Sequence, residues 1–115
     1  MNKVTLFGRA ATEIELRYSS GDEKTAVGKF RIAVNRRKGD ADFFNCVAFG
    51  KTAENIAKYF HKGDRMLISG RIETSQYTNK DGQKSTSVQI VVDEFDFVEP
   101  KREEETEDLP FNLTL

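Results

Sequence analysis

Apolar and polar residues alternate with a period of two along much of the chain, a pattern typical of half-buried β-strands. In the clearest example, Phe30, Ile32 and Val34 share one face while Lys29 and Arg31 lie on the other. Because only the apolar face can join a core, the pattern predicts a strand whose opposite face is basic and open to solvent.

The segment from residue 42 to 50 is predicted to be a second strand, and both of its faces carry phenylalanine. Phe43 and Phe49 share one face with Asn45 and Val47. The opposite face carries Phe44, Cys46 and Ala48. Because these three residues can already supply a buried face, Phe43 and Phe49 are available for a role other than core packing.

Further strand patterns occur at residues 4–8, 66–72, 88–92 and 95–97, with turn signals at 19–22, 38–40 and 79–82. Between residues 52 and 62 the apolar period changes to that of an amphipathic helix, with Ala53, Ile56, Ala57 and Phe60 on one side. Thr52 is the expected N-cap and Gly63 the expected left-handed residue after the helix.

The predicted order is three strands, one short helix and at least two further strands. This order fits an all-β fold, a five-stranded Greek-key barrel of the oligonucleotide-binding type with one short helix between strands 3 and 4. An antiparallel α+β sandwich shares much of the pattern and is the alternative. Apolar patterning stops near Pro100, which predicts a folded domain over residues 1–100 and an acidic, disordered tail over residues 101–115.

Composition argues against several classes of function. Cys46 is the only cysteine and His61 the only histidine, so neither an intramolecular disulfide nor a Cys/His zinc site is expected. The acidic residues are scattered and no base is paired with a nucleophile, which argues against an enzyme, a metal or a cofactor. No membrane span or secretory signal is predicted, so we expect a cytoplasmic protein.

The net charge of -1 averages two unlike segments. Residues 1–102 hold all 18 Lys and Arg with 14 Asp and Glu, whereas residues 103–115 hold five acids and no base. This asymmetry is typical of a body that binds a polyanion and carries an acidic interaction tail.

A collinear set of short segments resembles the bacterial and phage single-stranded DNA-binding protein family. The segments are residues 1–4 (MNKV), 6–9 (LFGR), 15–18 (ELRY), 30–36 (FRIAVNR), 42–43 (DF), 47–54 (VAFGKTAE), 62–63 (KG), 70–71 (GR) and 77–82 (YTNKDG). The resemblance implies an oligonucleotide-binding barrel that binds and protects single-stranded DNA during replication, repair or recombination, assembled as a homotetramer. An RNA-binding barrel or a protein-interaction module is the alternative, since fold alone does not fix the ligand.

Sequence-independent binding of a single strand needs aromatic planes for the bases and cations for the phosphates. By resemblance, Phe43, Phe49 and Tyr77 lie where the family places its stacking aromatics. The candidate phosphate contacts are cations on strands, at hairpin tips or near the helix: Lys3, Arg9, Arg17, Lys29, Arg31, Arg36, Arg37, Lys38, Lys51, Arg71, Lys80 and Lys84. Many family members carry an aromatic near Lys38, so here phosphate attraction is expected to replace one stacking contact.

The tail resembles the family's acidic C-terminus, which ends in a Pro-Phe tip that docks on replication, repair or recombination proteins. The matching residues here are Asp108, Leu109, Pro110 and Phe111. In the family the Phe is usually the last residue, whereas residues 112–115 follow it in this chain. The extension moves the terminal carboxylate away from Phe111 and puts partner docking in question.

Overall fold

The computed structural model describes residues 1–21 and 24–98. Its elements in chain order are β1 (Val4–Ala10), β2 (Glu15–Tyr18), β3 (Ala26–Asn35), β4 (Ala41–Phe49), α1 (Gly50–Tyr59), β5 (Arg65–Thr78) and β6 (Lys84–Phe97). The predicted tail lies outside the described residues. Within them, no helix is both long and apolar enough to cross a membrane.

Five of these strands close a ring of backbone hydrogen bonds in the order β1, β5, β6, β4, β3 and back to β1. All neighbours in the ring are antiparallel except β4 and β6, which run parallel and pair only at Cys46 with Ile90 and Val47 with Val91. A closed ring with one short helix is the predicted oligonucleotide-binding architecture. Ring closure is inconsistent with the alternative α+β sandwich.

The structure has six strands where the sequence pattern predicted five. The extra strand is β2. The end of β1 pairs with β3 as far as Ala10, which lies opposite Ile32. The pairing of β2 with β3 begins at Glu15, which lies opposite Lys29. Thus β1 and β2 lie in line along one edge of β3, interrupted by residues 11–14. They form the first barrel strand with a bulge, which a period-two pattern does not register.

The core lies inside the ring and beneath α1. Its largest fully buried side chains come from β3, α1, β5 and β6, which are distant in sequence: Ile32, Ile56, Met66, Ile68 and Ile90. Ala53 of the helix packs against the backbone of Gly28, where an added Cβ would lie 3.3 Å from the Cβ of Ala53. The helix therefore covers one end of the barrel with its small apolar face.

The helix boundaries differ from the predicted ones. The chain passes from β4 into α1 at Gly50, which has a φ of +63°, and no side chain caps the helix, so Thr52 lies inside it. The helix ends at Tyr59, before the predicted terminus. Gly63, with a φ of +95°, instead turns the chain towards β5. Its N–H donates to the carbonyl of Ala10 at the end of β1. The helix ends because Phe60 is extended, and the contact with Ala10 positions the segment that follows it.

The β5–β6 hairpin extends beyond the barrel as an arm. Its strands pair continuously from Gly70 opposite Val92 to Thr78 opposite Lys84. The predicted turn is confirmed, since Asn79 and Gln83 close it and Gly82 adopts a φ of +81°. The side-chain oxygen of Asn79 also accepts hydrogen bonds from the N–H groups of Asp81 and Gln83. This reinforcement holds the arm's tip in one conformation.

Gly70 lies at the irregularity where β5 bends between the barrel and the arm. A Cβ atom at this position would overlap the backbone carbonyl of Val91 on β6. Because backbone cannot move aside as a flexible side chain can, the absence of a side chain at Gly70 permits the close approach of the two strands.

We therefore predict that Gly70→Ala destabilises the fold by about 1–3 kcal/mol, the usual cost of forcing extra volume into a packed site. Urea unfolding measures the effect. The control is Gln76→Ala, an exposed position on the same strand, for which we expect a change within about 0.5 kcal/mol. Equal stability of Gly70→Ala and the unmodified chain would show that the close approach does not constrain the fold.

Candidate nucleic-acid interface

Two phenylalanines project from the barrel on the outward side of β4. Phe43 and Phe49 are 52% and 49% exposed, whereas Cys46 and Ala48 on the inward side are buried and Phe44 is half-buried. Cys46 and Ala48 thus supply the core from the inward face, as the alternation predicted, but Val47 on the outward face is also buried. We call the outward side of β1 to β6 that carries Phe43 and Phe49 the outer face.

Strand pairing places cations beside these rings. Of the predicted phosphate contacts, five share the outer face: Arg9, Arg17, Lys29, Arg31 and Arg71. The closest association is between Arg31 and Phe43, where the guanidinium carbon lies 5.1 Å from the ring centroid. This distance is typical of a cation–π contact, so the ring is already paired with a positive charge on one side.

Tyr77 reaches the outer face from the projecting arm. It pairs with Ser85 and alternates with Ser75, Glu73 and Arg71 along β5, so its side chain points to the same side of the sheet as theirs. Its side chain is 54% exposed. The structure therefore places Phe43 and Phe49 together on the barrel, and Tyr77 further out on the arm.

Three of the predicted cations form ion pairs with carboxylates of this chain. Arg17 contacts Glu15 at 2.7 Å, Arg36 contacts Asp42 at 2.6 Å and Arg71 contacts Glu73 at 3.1 Å. The hydrogen bonds from Arg36 hold the pKa of the Asp42 carboxyl below its ordinary value. Exposed ion pairs exchange partners at little cost. The carboxylates therefore partly neutralise these arginines, which remain available to contact phosphates.

Arg9 is held in place by another contact, because its guanidinium donates to the carbonyl of Gly63 at 2.9 Å. The remaining predicted cations lie around the edges of the outer face. Lys3 precedes β1, Arg37 and Lys38 occupy the β3–β4 turn, Lys51 lies in the first turn of α1, Lys80 is at the arm's tip, and Lys84 points to the side of the arm opposite Tyr77. They surround the face without forming one compact cluster.

A groove of about 420 Å³ opens on the outer face. We call it the side groove; it is lined by Thr12, Glu15, Lys29, Arg31, Asn45 and Gln89, among others. Thr12 is fixed there because its hydroxyl accepts the N–H of Arg31 at 3.1 Å. This groove could not be predicted from the sequence, because Gln89 lies beside Asn45 only through the parallel pairing of β6 with β4.

Reactive groups do not converge on this surface. Within residues 1–21 and 24–98, no group of three or more His, Cys, Asp or Glu side chains could hold a metal ion. The Cys46 thiol lies beneath the groove, and burial raises its pKa to about 12. The thiol therefore stays protonated, and so weakly nucleophilic, at neutral pH.

The fold and the outer face define a barrel of the oligonucleotide-binding class that exposes aromatic rings among cations. A family model described as the single-strand binding protein family matches residues 1–98. The chain belongs to this family.

Curated relatives carry matching names. A single-stranded DNA-binding protein of Clostridium perfringens is 46% identical over 101 residues, covering 86% of this chain and 67% of the relative. One from Fusobacterium nucleatum is 42% identical over 109 residues, covering 88% and 69%. Single-stranded DNA-binding protein 1 of Lactococcus lactis is 40% identical over 108 residues, covering 89% and 71%.

Burial of Cys46 predicts a dependence of stability on pH. From about pH 9, the ordinary thiol pKa, to about pH 12, the unfolded chain loses this proton while the folded chain keeps it. The unfolded state then binds fewer protons, so the contribution of Cys46 to the free energy of unfolding falls as pH rises. Comparing urea unfolding of the chain with Cys46→Ala between pH 8 and pH 10 isolates this effect from other titrating groups. A difference between the two proteins that does not vary with pH would contradict the prediction.

Proposed function

We propose that this chain binds single-stranded DNA without strong sequence preference and protects it during replication, repair or recombination. The observation that carries the proposal is the exposed Phe43 ring, paired with Arg31 on a face shared with Phe49. Large apolar rings exposed among cations are costly unless a ligand covers them. Unstacked bases bind such rings whatever their identity, because every base has a π-face.

The arrangement favours single strands over duplex. Bases in a duplex are already stacked on one another, so the faces of Phe43 and Phe49 gain a partner only from unpaired nucleotides. The cations around the outer face attract phosphates of either form. Binding is therefore expected to weaken as salt rises, with a log–log slope of about -0.7 per phosphate neutralised. Stacking then accounts for selectivity and the cations for general attraction.

We further propose that the protein acts by binding alone and catalyses no reaction. The protonated Cys46 thiol and the scattered carboxylates support this view.

A homotetramer is the proposed assembly. The part of β1 from Val4 to Gly8 pairs with β5 on one side, while its pairing with β3 is confined to Arg9 and Ala10. A strand edge of this kind can accept another strand. Phe7 is 51% exposed beside this edge, and Ile72 and Val88 are exposed on the arm. Contacts between copies of the chain would bury these apolar side chains.

The acidic tail is proposed to contact replication, repair or recombination proteins through Asp108, Leu109, Pro110 and Phe111. These residues lie outside the described part of the chain, and the proposal rests on their resemblance to the family's Pro-Phe tip.

The function is tested with fluorescently labelled oligo-dT, an oligo-rU of equal length and a duplex, at one stated salt concentration. We expect tight binding to oligo-dT and much weaker binding to duplex. Phe43→Ala should weaken oligo-dT binding by about 1–3 kcal/mol, the usual value of one base stacked on an aromatic ring.

The matched control is Phe97→Ala, because Phe97 is also 52% exposed but packs at the helix-covered end of the barrel against Phe60. It should leave DNA affinity unchanged. Equal affinity for duplex and single strand would refute the proposal, and tighter binding of oligo-rU would favour the RNA-binding alternative. If Phe43→Ala were unfolded, Phe43 would have to be assigned to core packing instead of base stacking.

The assembly is tested by light scattering at micromolar concentration. We expect the mass of four chains, and replacing Phe7 with a charged residue, Phe7→Glu, should shift the protein towards smaller species because it places a charge at the proposed contact. The parallel control is Tyr77→Glu, an equally exposed aromatic on the outer face. A monomer at all concentrations would rule out the tetramer.

A further inference from the structure

The side groove lies where a bound strand must pass if the proposed function holds. Phe43 and Phe49 are six residues apart on one strand, a distance of about 20 Å at the rise of an extended chain. DNA stacked on both rings must therefore lay intervening nucleotides across Asn45, which lines the side groove. The groove is thus next to the proposed path of the strand.

The rim of the groove is acidic on the side formed by residues 11–15. Glu13 also lines the groove, but both of its carboxylate oxygens have partners: one accepts the N–H of Lys62 at 3.4 Å and the other lies 3.6 Å from His61. Glu15 uses its Oε2 for both hydrogen bonds from Arg17. Its Oε1 has no hydrogen-bond partner among the described residues, so Glu15 presents a free carboxylate oxygen at the groove.

A carboxylate at this position selects which part of a nucleotide enters. A phosphate would be repelled by Glu15 and drawn to Lys29 and Arg31, which line the same groove. An amino group on a base edge would instead donate a hydrogen bond to Oε1. Across the groove, the side-chain amides of Asn45 and Gln89 make no hydrogen bond to another described residue. Both amides can donate to ring nitrogens or carbonyl oxygens of a base. The groove therefore offers a charged acceptor and two neutral donors, beside the cations Lys29 and Arg31 that also line it.

We infer that the side groove receives one base of the bound strand, and that Glu15 gives this position a preference for bases with an exocyclic amino group. Cytosine fits because its N4 amino group donates to Glu15 while its O2 and N3 accept from the amides. Uracil and thymine present a carbonyl oxygen, O4, in place of that amino group, and this oxygen is repelled by the carboxylate. The inference rests on the proposed function and adds a modest base preference to binding that stacking alone leaves unselective.

The test compares oligo-dC with oligo-dU of equal length at pH 8, because these bases differ at the edge that Glu15 would contact and lack the methyl group of thymine. The quantity measured is the ratio of the dU dissociation constant to the dC dissociation constant. Glu15→Gln removes the charge while keeping the shape, and its amide can donate to O4 of uracil. We expect the ratio to fall by about threefold or more.

Glu73→Gln is the matched control. Glu73 pairs with Arg71 two residues away on the same strand, as Glu15 pairs with Arg17, and its side chain is similarly exposed, but it does not line the groove. Glu15→Gln frees Arg17, and Glu73→Gln removes one of the two carboxylates beside Arg71, which also lies 3.7 Å from Asp93. A general gain in affinity from either change cancels in the ratio. We expect the ratio of Glu73→Gln to equal that of the unmodified chain.

An unchanged ratio in Glu15→Gln, with both oligonucleotides still bound, would overturn the inference and leave the proposed function standing. An equal fall in both variants would also overturn it, by assigning the effect to the freed arginine. Failure of the unmodified chain to bind either oligonucleotide would refute the proposed function and this inference together. Thermal unfolding of both variants establishes that they are folded as the unmodified chain is.

Discussion

The short parallel pairing of β4 with β6 is the interaction on which the rest of the structure depends. It joins Cys46 to Ile90 and Val47 to Val91, and it closes a ring whose other contacts are antiparallel. Without it the β5–β6 hairpin would not lie beside the strand that carries Phe43 and Phe49. Because parallel strands cannot be linked by a tight turn, this contact forms only when α1 and the whole of β5 are folded between them.

Closure of the ring also separates the two faces of each strand. Apolar side chains on the inward side meet one another across a narrow interior and exclude water, which stabilises the barrel. The outward side carries the exposed rings of Phe43 and Phe49 and the cations beside them, which are the groups that the proposed single-stranded DNA would contact.

Charge on the outer face is balanced locally. Glu15 and Glu73 each hold an arginine two residues away along the same strand, and Asp42 holds Arg36 across the β3–β4 turn. Such exposed pairs contribute little to stability, because water competes for both partners. Their effect is on the positive electrostatic potential that attracts a polyanion. The paired arginines contribute less to this potential, whereas Lys29 and Arg31 form no salt bridge with another described residue.

The sequence by itself determined the inward and outward faces at most positions of the barrel, whereas Val47 on the outward face of β4 is buried and Ile72 and Val88 on the arm are exposed. Alternation is a property of the local backbone, so the burial of Cys46 and Ala48 and the exposure of Phe43 and Phe49 could be predicted without knowing the partners of β4. The turn from Asn79 to Gly82 was equally predictable, because its hydrogen bonds join neighbours in the chain. By contrast, the interruption between β1 and β2, the contact of Gly63 with Ala10 and the placement of Gln89 beside Asn45 were decided only by the tertiary structure. Each depends on backbone pairing between segments far apart in sequence, and an apolar period specifies the face of a strand but not the strand beside it.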